Sequence, residues 1–140
     1  MPINTNNNFA NKPMWWRWPH TRSNLRSFLG RVVTVEIDRP LGSRHPAGHP
    51  IWYCLNYGYI PGTVSGDGAP IDAYLVGVFE PVERMEGVVI AVIERKNDRE
   101  DKLVVAPPGR TYSAEQIAAL VEFQERFFDI RIITMSSLYY

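Results

Sequence analysis

Short runs of β-branched and aromatic residues, each stopped by glycine or proline, recur along most of this chain and limit what it can fold into. Val32-Val-Thr-Val-Glu36-Ile37 ends at Pro40 and Gly42, and His45-Pro-Ala-Gly-His-Pro50 follows as an irregular connection. Ile51–Tyr53 reads as a strand entering a Tyr-rich loop, and Ile71–Phe79 as a strand leaving it. Val88–Glu94 and Leu103–Ala106 read as two further strands across the charged turn Arg95-Lys-Asn-Asp-Arg-Glu-Asp101, and Ile130–Met135 as a last strand or extended tail. Strands this short, separated by turn residues, predict a closed or nearly closed barrel. The fold class is mainly β with one or two helices. Leu25–Leu29 reads as a helical turn ended by Gly30. The second helix is better signalled: Ser113 and Gln116 form a capping box, and Ile117, Leu120, Val121, Phe127 and Phe128 share one face.

With 140 residues and no linker or internal repeat, one domain is expected over residues 25–140. Residues 1–24 read as an Asn-rich tail followed by a Trp-rich arm. Trp15, Trp16 and Trp18 could stack on bases. Zero net charge and the lack of a basic stripe favour an arm laid on the domain or on a partner subunit instead. No nucleic-acid partner is expected, and homo-oligomerisation is. No apolar run approaches the ~20 residues needed to span a bilayer, so no membrane partner is expected. The N-terminus does not read as a signal peptide, so a cytoplasmic location is expected. Cys54 stands alone, which excludes an intrachain disulfide and a zinc site built on several thiolates. Its apolar neighbours predict a buried structural thiol.

The chemistry is concentrated between Tyr53 and Asp72, where three tyrosines, Asn56 and two aspartates share twenty positions. Fully extended, Asp67 and Asp72 would stand roughly 16 Å apart, too far to share a cation. Gly68 and Pro70 can turn the chain and bring both carboxylates to one barrel mouth. Bare carboxylates ~4 Å apart repel by about 4 kcal/mol at an effective dielectric of 20, so such a pair calls for a cation; oxygen ligands select Mg²⁺, Mn²⁺ or Ca²⁺ over zinc. The same Asp-Gly-x-Pro pattern also makes ordinary turns. The run Asp98-Arg99-Glu100-Asp101-Lys102 adds carboxylates that either close a metal cluster or decorate a solvated hairpin tip, with Lys102 as an anion contact. Glu36 can face the same cavity, and Arg44, in a Gly-Ser-Arg turn, can reach a phosphate oxygen or simply lie on the surface. Tyr57 and Tyr59 share one side of an extended strand, as does Tyr53 before any bend, and such a row can aim hydroxyls at one oxyanion.

The order Glu36, Tyr53-x-x-Asn56-Tyr57-Gly58-Tyr59-Ile60-Pro61, Asp67-Gly-x-Pro-x-Asp72 and Glu100-Asp101-Lys102 resembles the family I soluble inorganic pyrophosphatases across roughly residues 31–108. That resemblance implies an OB-like five-stranded barrel and hydrolysis of pyrophosphate to two phosphates by metal-activated water, with Mg²⁺ (or Mn²⁺) as cofactor. It implies metal ligation by Asp67, Asp72, Asp98 and Glu100, with Asp101 competing with Glu100, and Glu36 facing the site. It implies phosphate contacts from Arg44, Tyr53 and Lys102, a catalytic set of Asp67, Asp72, Tyr53 and Lys102, and Tyr57 as a buried support for the acidic cluster. Three positions depart from the pattern. Ala69 stands where the family has the aspartate that holds the nucleophilic water. Phe127-Phe128 stands where the family has a Tyr-Lys pair. The hairpin that normally brings an arginine is reduced to Pro46-Ala-Gly-His-Pro50, with His45 and His49 at its edges. A relative that binds metal or phosphate, or serves as an oligomerising module, without turnover is the alternative implied.

Overall fold

The computed structural model describes residues 25–96, 98 and 100–139; the tail and Trp-rich arm lie outside them. Six strands follow in order: β1 (Val32–Arg39), β2 (Asn56–Ile60), β3 (Ile71–Leu75), β4 (Arg84–Arg95), β5 (Lys102–Ala106) and, after helix α1 (Ala114–Glu125), β6 (Ile130–Thr134). The sheet order is β1-β2-β3-β5-β4-β6, and β1 also pairs with β4. That extra pairing closes β1-β2-β3-β5-β4 into a five-stranded barrel and leaves β6 as an appendage on β4. Closure removes the unpaired edges that β1 and β4 would otherwise present. All pairings are antiparallel except β3 with β5. β4 can serve three neighbours because it is long, giving Val32–Glu36 of β1 its first half and β6 its second.

Strand alternation sorts the side chains into two cores. Val35, Ile60, Ile71, Leu75, Val89, Leu103 and Val105 come from all five barrel strands and fill the interior. Tyr57, Tyr74, Ala91, Ile93 and Val104 point the other way and meet Ile117 and Val121 of α1. The capping box starts this helix as expected: Ser113 Oγ accepts from the Gln116 N–H at 3.1 Å, and Gln116 Oε1 accepts from the Ser113 N–H at 2.8 Å. Ile117 and Val121 are fully buried, each contributing on the order of 2–3 kcal/mol. Gly58 is a close-approach position. A Cβ there would lie 1.8 Å from the Glu36 carbonyl oxygen of β1, so only glycine lets β1 and β2 pair.

Four local expectations change. The Tyr-rich stretch is a strand from Asn56 rather than a loop, wedged between β1 and β3. Ile51–Tyr53 contributes only an isolated bridge, Arg44 with Trp52. The helix stops at Glu125, so Phe127 and Phe128 leave its face. Cys54 is exposed, although Tyr53 and Leu55 on either side of it are buried.

Candidate functional site

On the helix-facing side of the barrel, Asp72 of β3 and Lys102 of β5 sit at the ends of two parallel strands. Their register, Ala73 opposite Leu103, sets them side by side. Lys102 is 2% exposed, and its ammonium donates to Asp72 Oδ2 at 2.7 Å and to Glu100 Oε1 at 3.1 Å. A buried cation needs such partners. The Tyr57 phenol bonds the same Asp72, and burial together with that carboxylate's charge keeps the phenol well above its ordinary range, so it stays a neutral donor.

Asp67 reaches this group through the turn that Gly68 makes at φ +88°. The Ser65 hydroxyl, the Glu100 carboxyl and the Ala69 N–H hold the Asp67 carboxyl down at about 2. Glu100 is pushed up, first by its bond to Asp67 and then by burial. The two carboxyls therefore titrate apart, Asp67 below and Glu100 above the ordinary range, while the Lys102 ammonium partly offsets the rise of Glu100.

A second group lies beside the first. β1 and β2 pair Ile37 with Gly58 but Arg39 with Tyr57, so Asp38 is an extra residue in a bulge. Regular alternation would send Arg39 to the interior with Ile37; the bulge re-aims it to the Tyr57 side. Its guanidinium lies over the Tyr53 and Tyr57 rings at 5.5 and 5.3 Å and donates to Tyr53 Oη at 2.5 Å. Tyr53 Oη in turn donates to Gln124 Oε1. Gln124 Nε2 donates to Tyr74 Oη at 2.7 Å, and Tyr74 Oη to Glu125 Oε2 at 2.6 Å. Arg95 closes the chain with two bonds to Glu125, 3.0 and 2.9 Å, and its guanidinium lies 3.6 Å from the Phe128 ring centroid. Arg39 and Arg95 are thus tied through one buried polar network anchored on the last turn of α1. Burial pushes the Tyr53 and Tyr74 phenols up, so both remain neutral links. Among the described residues Arg39 hydrogen-bonds this phenol and no carboxylate, while the neighbouring Asp38 acts on it only through its charge.

Arg39, Arg95, Lys102, Asp72 and Glu100 line one cavity of about 540 Å³. His45, His49, Pro50, Ile51, Phe127 and Phe128 also line it. His45 meets His49 edge to face at 4.8 Å, and its Nδ1 accepts from the Ala47 N–H. That bond leaves Nε2 as the protonated nitrogen of the neutral ring.

The residues picked from sequence divide accordingly. Asp67, Asp72, Glu100 and Lys102 come together. Tyr53 sits behind the cavity as the support of Arg39. Glu36 shares a face with Tyr59 and Asp72 but is engaged by Arg84 at 2.8 Å. Arg44 is exposed, bonded to the Gly48 and His49 carbonyls and stacked over Trp52, outside the cavity lining. Asp98 closes its own turn by accepting from the Glu100 N–H at 3.1 Å and pairs with Arg95 at 3.5 Å. Asp101 is buried, with Oδ1 accepting from the Arg95 N–H at 3.0 Å. Sequence reasoning missed Arg39, Arg95, Gln124 and Glu125. One signal was available: Gln124 and Glu125 continue the stripe of Ile117 and Val121 at i+7 and i+8, which marks a buried polar pair.

Among the described residues no three or more His, Cys, Asp or Glu side chains converge as an ion cage. Two adjacent carboxyls whose interaction pushes their titrations apart are nevertheless an oxygen donor set that suits a hard cation. Mg²⁺ commonly takes one or two carboxylates and fills its remaining positions with water and substrate phosphate. Asp67 and Glu100 fit one such ion; Glu36, Asp98 and Asp101 are committed elsewhere.

The family profile of inorganic pyrophosphatases matches residues 34–132, from β1 through β6. The chain belongs to the inorganic pyrophosphatase family. It is 31% identical over 94 residues to an inorganic pyrophosphatase of Rhodospirillum rubrum, covering 60% of this chain and 51% of that protein. It is 40% identical over 94 residues to one of Aeropyrum pernix, covering 64% and 49%. The chain thus spans about half the length of the curated relatives it matches. Inorganic pyrophosphatase structures share its fold: those of Ehrlichia chaffeensis (TM-score 0.61, 16% identity, covering 77% of this chain and 88% of that one) and Coxiella burnetii (0.55, 19%, 76% and 88%). Members of this family are generally metal-dependent, in keeping with the carboxyl pair.

Proposed function

We propose that this pyrophosphatase-family chain binds pyrophosphate in the cleft and hydrolyses it to two phosphates with Mg²⁺ as cofactor, Mn²⁺ serving in its place. The observation that carries this reading is the meeting of Arg39, Arg95 and Lys102 around one cavity, next to the Asp67–Glu100 pair. Arg39 brings a fixed guanidinium whose donors are not spent on a carboxylate, suited to a phosphate edge. Lys102 supplies a point charge that Asp72 and Glu100 hold in place. Asp67 and Glu100 would hold the ion, which when bound would lower the pKa of a coordinated water and screen the phosphate charge. Asp72 and Tyr57 keep the ammonium aimed at the cavity. The buried network prevents Arg39 and Arg95 from relaxing toward each other's partners when an anion enters. The lone exposed thiol of Cys54 suits a reducing, cytoplasmic setting, and homo-oligomerisation remains part of the proposal.

A second reading, binding without turnover, is favoured by Ala69. Its N–H serves Asp67, and its exposed methyl supplies no carboxylate at position 69. Calorimetry with methylenediphosphonate tests the phosphate cleft that both readings require. Binding that requires Mg²⁺ and weakens about 10- to 100-fold in Arg39→Met is expected, since a charge-assisted bond is worth ~1.5–3 kcal/mol. Metal-independent binding, or affinity unaltered by Arg39→Met, would refute the assignment.

A further inference from the structure

Pyrophosphate leaves much of this cleft unfilled. A cavity of about 540 Å³ lies in the range of roughly 300–1,000 Å³ that encloses whole organic ligands. Its charged groups are gathered at Arg39, Arg95 and Lys102, whereas Phe127, Pro50 and Ile51 give it an apolar part. Phe127 is 61% exposed. Phe128 spends its face on Arg95, but Phe127 has no ring or cation stacked on it among the described residues. An exposed aromatic face lining a cationic cavity is available to stack on a bound ligand.

Anchoring one end of a ligand on the cations determines what can cover Phe127. The occupant must carry a phosphate end and a flat, weakly polar end on the same molecule. We propose that the cleft takes a diphosphate monoester bearing an aromatic ring, of the nucleoside 5′-diphosphate class, with the diphosphate on Arg39 and Lys102 and the base on the Phe127 face. The neutral His45 ring, with Nε2 as its donor, is also in the lining and offers hydrogen bonding to polar edges of the base. Stacking on one aromatic face tolerates any base, so selectivity among bases is small. Hydrolysis would break the same kind of bond. Water adds to the terminal phosphorus, the P–O–P bridge breaks, and a nucleoside monophosphate and inorganic phosphate leave with one proton released. The proposal rests on the phosphate reading of the cleft.

Calorimetry in Mg²⁺ with three probes tests it: methylenediphosphonate, adenosine 5′-(α,β-methylene)diphosphate and geranyl diphosphate. The nucleotide analogue should bind at least ~5-fold more tightly than methylenediphosphonate, the lower end of what one base–aromatic stack provides. Phe127→Ala should abolish that difference and leave methylenediphosphonate affinity unchanged, while Phe127→Trp should keep it. Equal affinity of the nucleotide analogue and methylenediphosphonate, an equal loss for both in Phe127→Ala, or geranyl diphosphate matching the nucleotide would each overturn the proposal. Failure of methylenediphosphonate to bind at all would overturn the phosphate reading as well.

Discussion

Replacing Glu125 by glutamine tests whether the network beneath the cleft holds it together. Glu125 and Arg95 have side chains only 1% and 6% exposed, and they pair at 2.9 Å. Glutamine keeps the shape but removes the buried carboxylate that pairs with Arg95 and takes the strong acceptor from Tyr74. Removing one partner of a buried pair costs about 3–5 kcal/mol, whereas replacing both by apolar groups is often neutral. A chain of this size has a total stability on the order of 10 kcal/mol, so the single change should remove a third or more of it. At ~2–4 °C per kcal/mol for domains near this size, Tm should fall by about 10–15 °C. Urea unfolding of wild type, Glu125→Gln, Arg95→Met and the double variant measures the coupling directly. The double variant should recover at least half of the loss. A loss under ~1 kcal/mol for Glu125→Gln, or a double variant as unstable as the sum of the singles, would refute the reasoning.

Two further outcomes follow from other parts of the molecule. Ala69→Asp places a carboxylate on the exposed turn beside Asp67; if a water-holding base is what turnover lacks, phosphate release at saturating substrate should rise ~10²-fold or more, and an unchanged rate would exclude that account. Glu94 is fully buried between Arg26 and Arg131; burial pushes its carboxyl up, but the two guanidiniums outweigh it and leave it below the ordinary value. Its contribution is therefore present above the unfolded glutamate value of about 4.3 and is lost as pH falls through the lower folded value. Tm measured from pH 6 down to pH 3 should drop more steeply in wild type than in Glu94→Gln, and parallel curves would show that the carboxylate contributes nothing.

The barrel was legible because its signals are local. Glycine and proline end each β-branched run, Ser113 and Gln116 start the helix, and strand alternation puts Asp72, Tyr74 and Val104 on the helix side. The grouping of Asp67, Asp72, Glu100 and Lys102 was legible only through the order of motifs that resembles the pyrophosphatase family, since the Asp-Gly-x-Pro spacing alone also makes ordinary turns. Arg39 was not, because its side is decided by a bulge, and one extra residue inverts every assignment made by alternation. Arg44 looked equivalent on paper, yet the Gly48 and His49 carbonyls and the Trp52 ring hold it on the surface. Asp98, Glu100 and Asp101 could not be separated in sequence, since three neighbouring carboxylates of one turn point to three different places. Cys54 shows the same limit: apolar neighbours do not bury the side chain between them.

The most direct test of the central claim is phosphate release from pyrophosphate by the purified chain, with and without Mg²⁺, compared with Asp67→Asn. Asp67 is exposed, so its replacement leaves the barrel intact and isolates the chemistry. The account predicts release above the protein-free blank that needs Mg²⁺, is abolished by chelation and falls at least ~10-fold in Asp67→Asn. Release equal to the blank in Mg²⁺, or a rate that neither chelation nor Asp67→Asn alters, would contradict it.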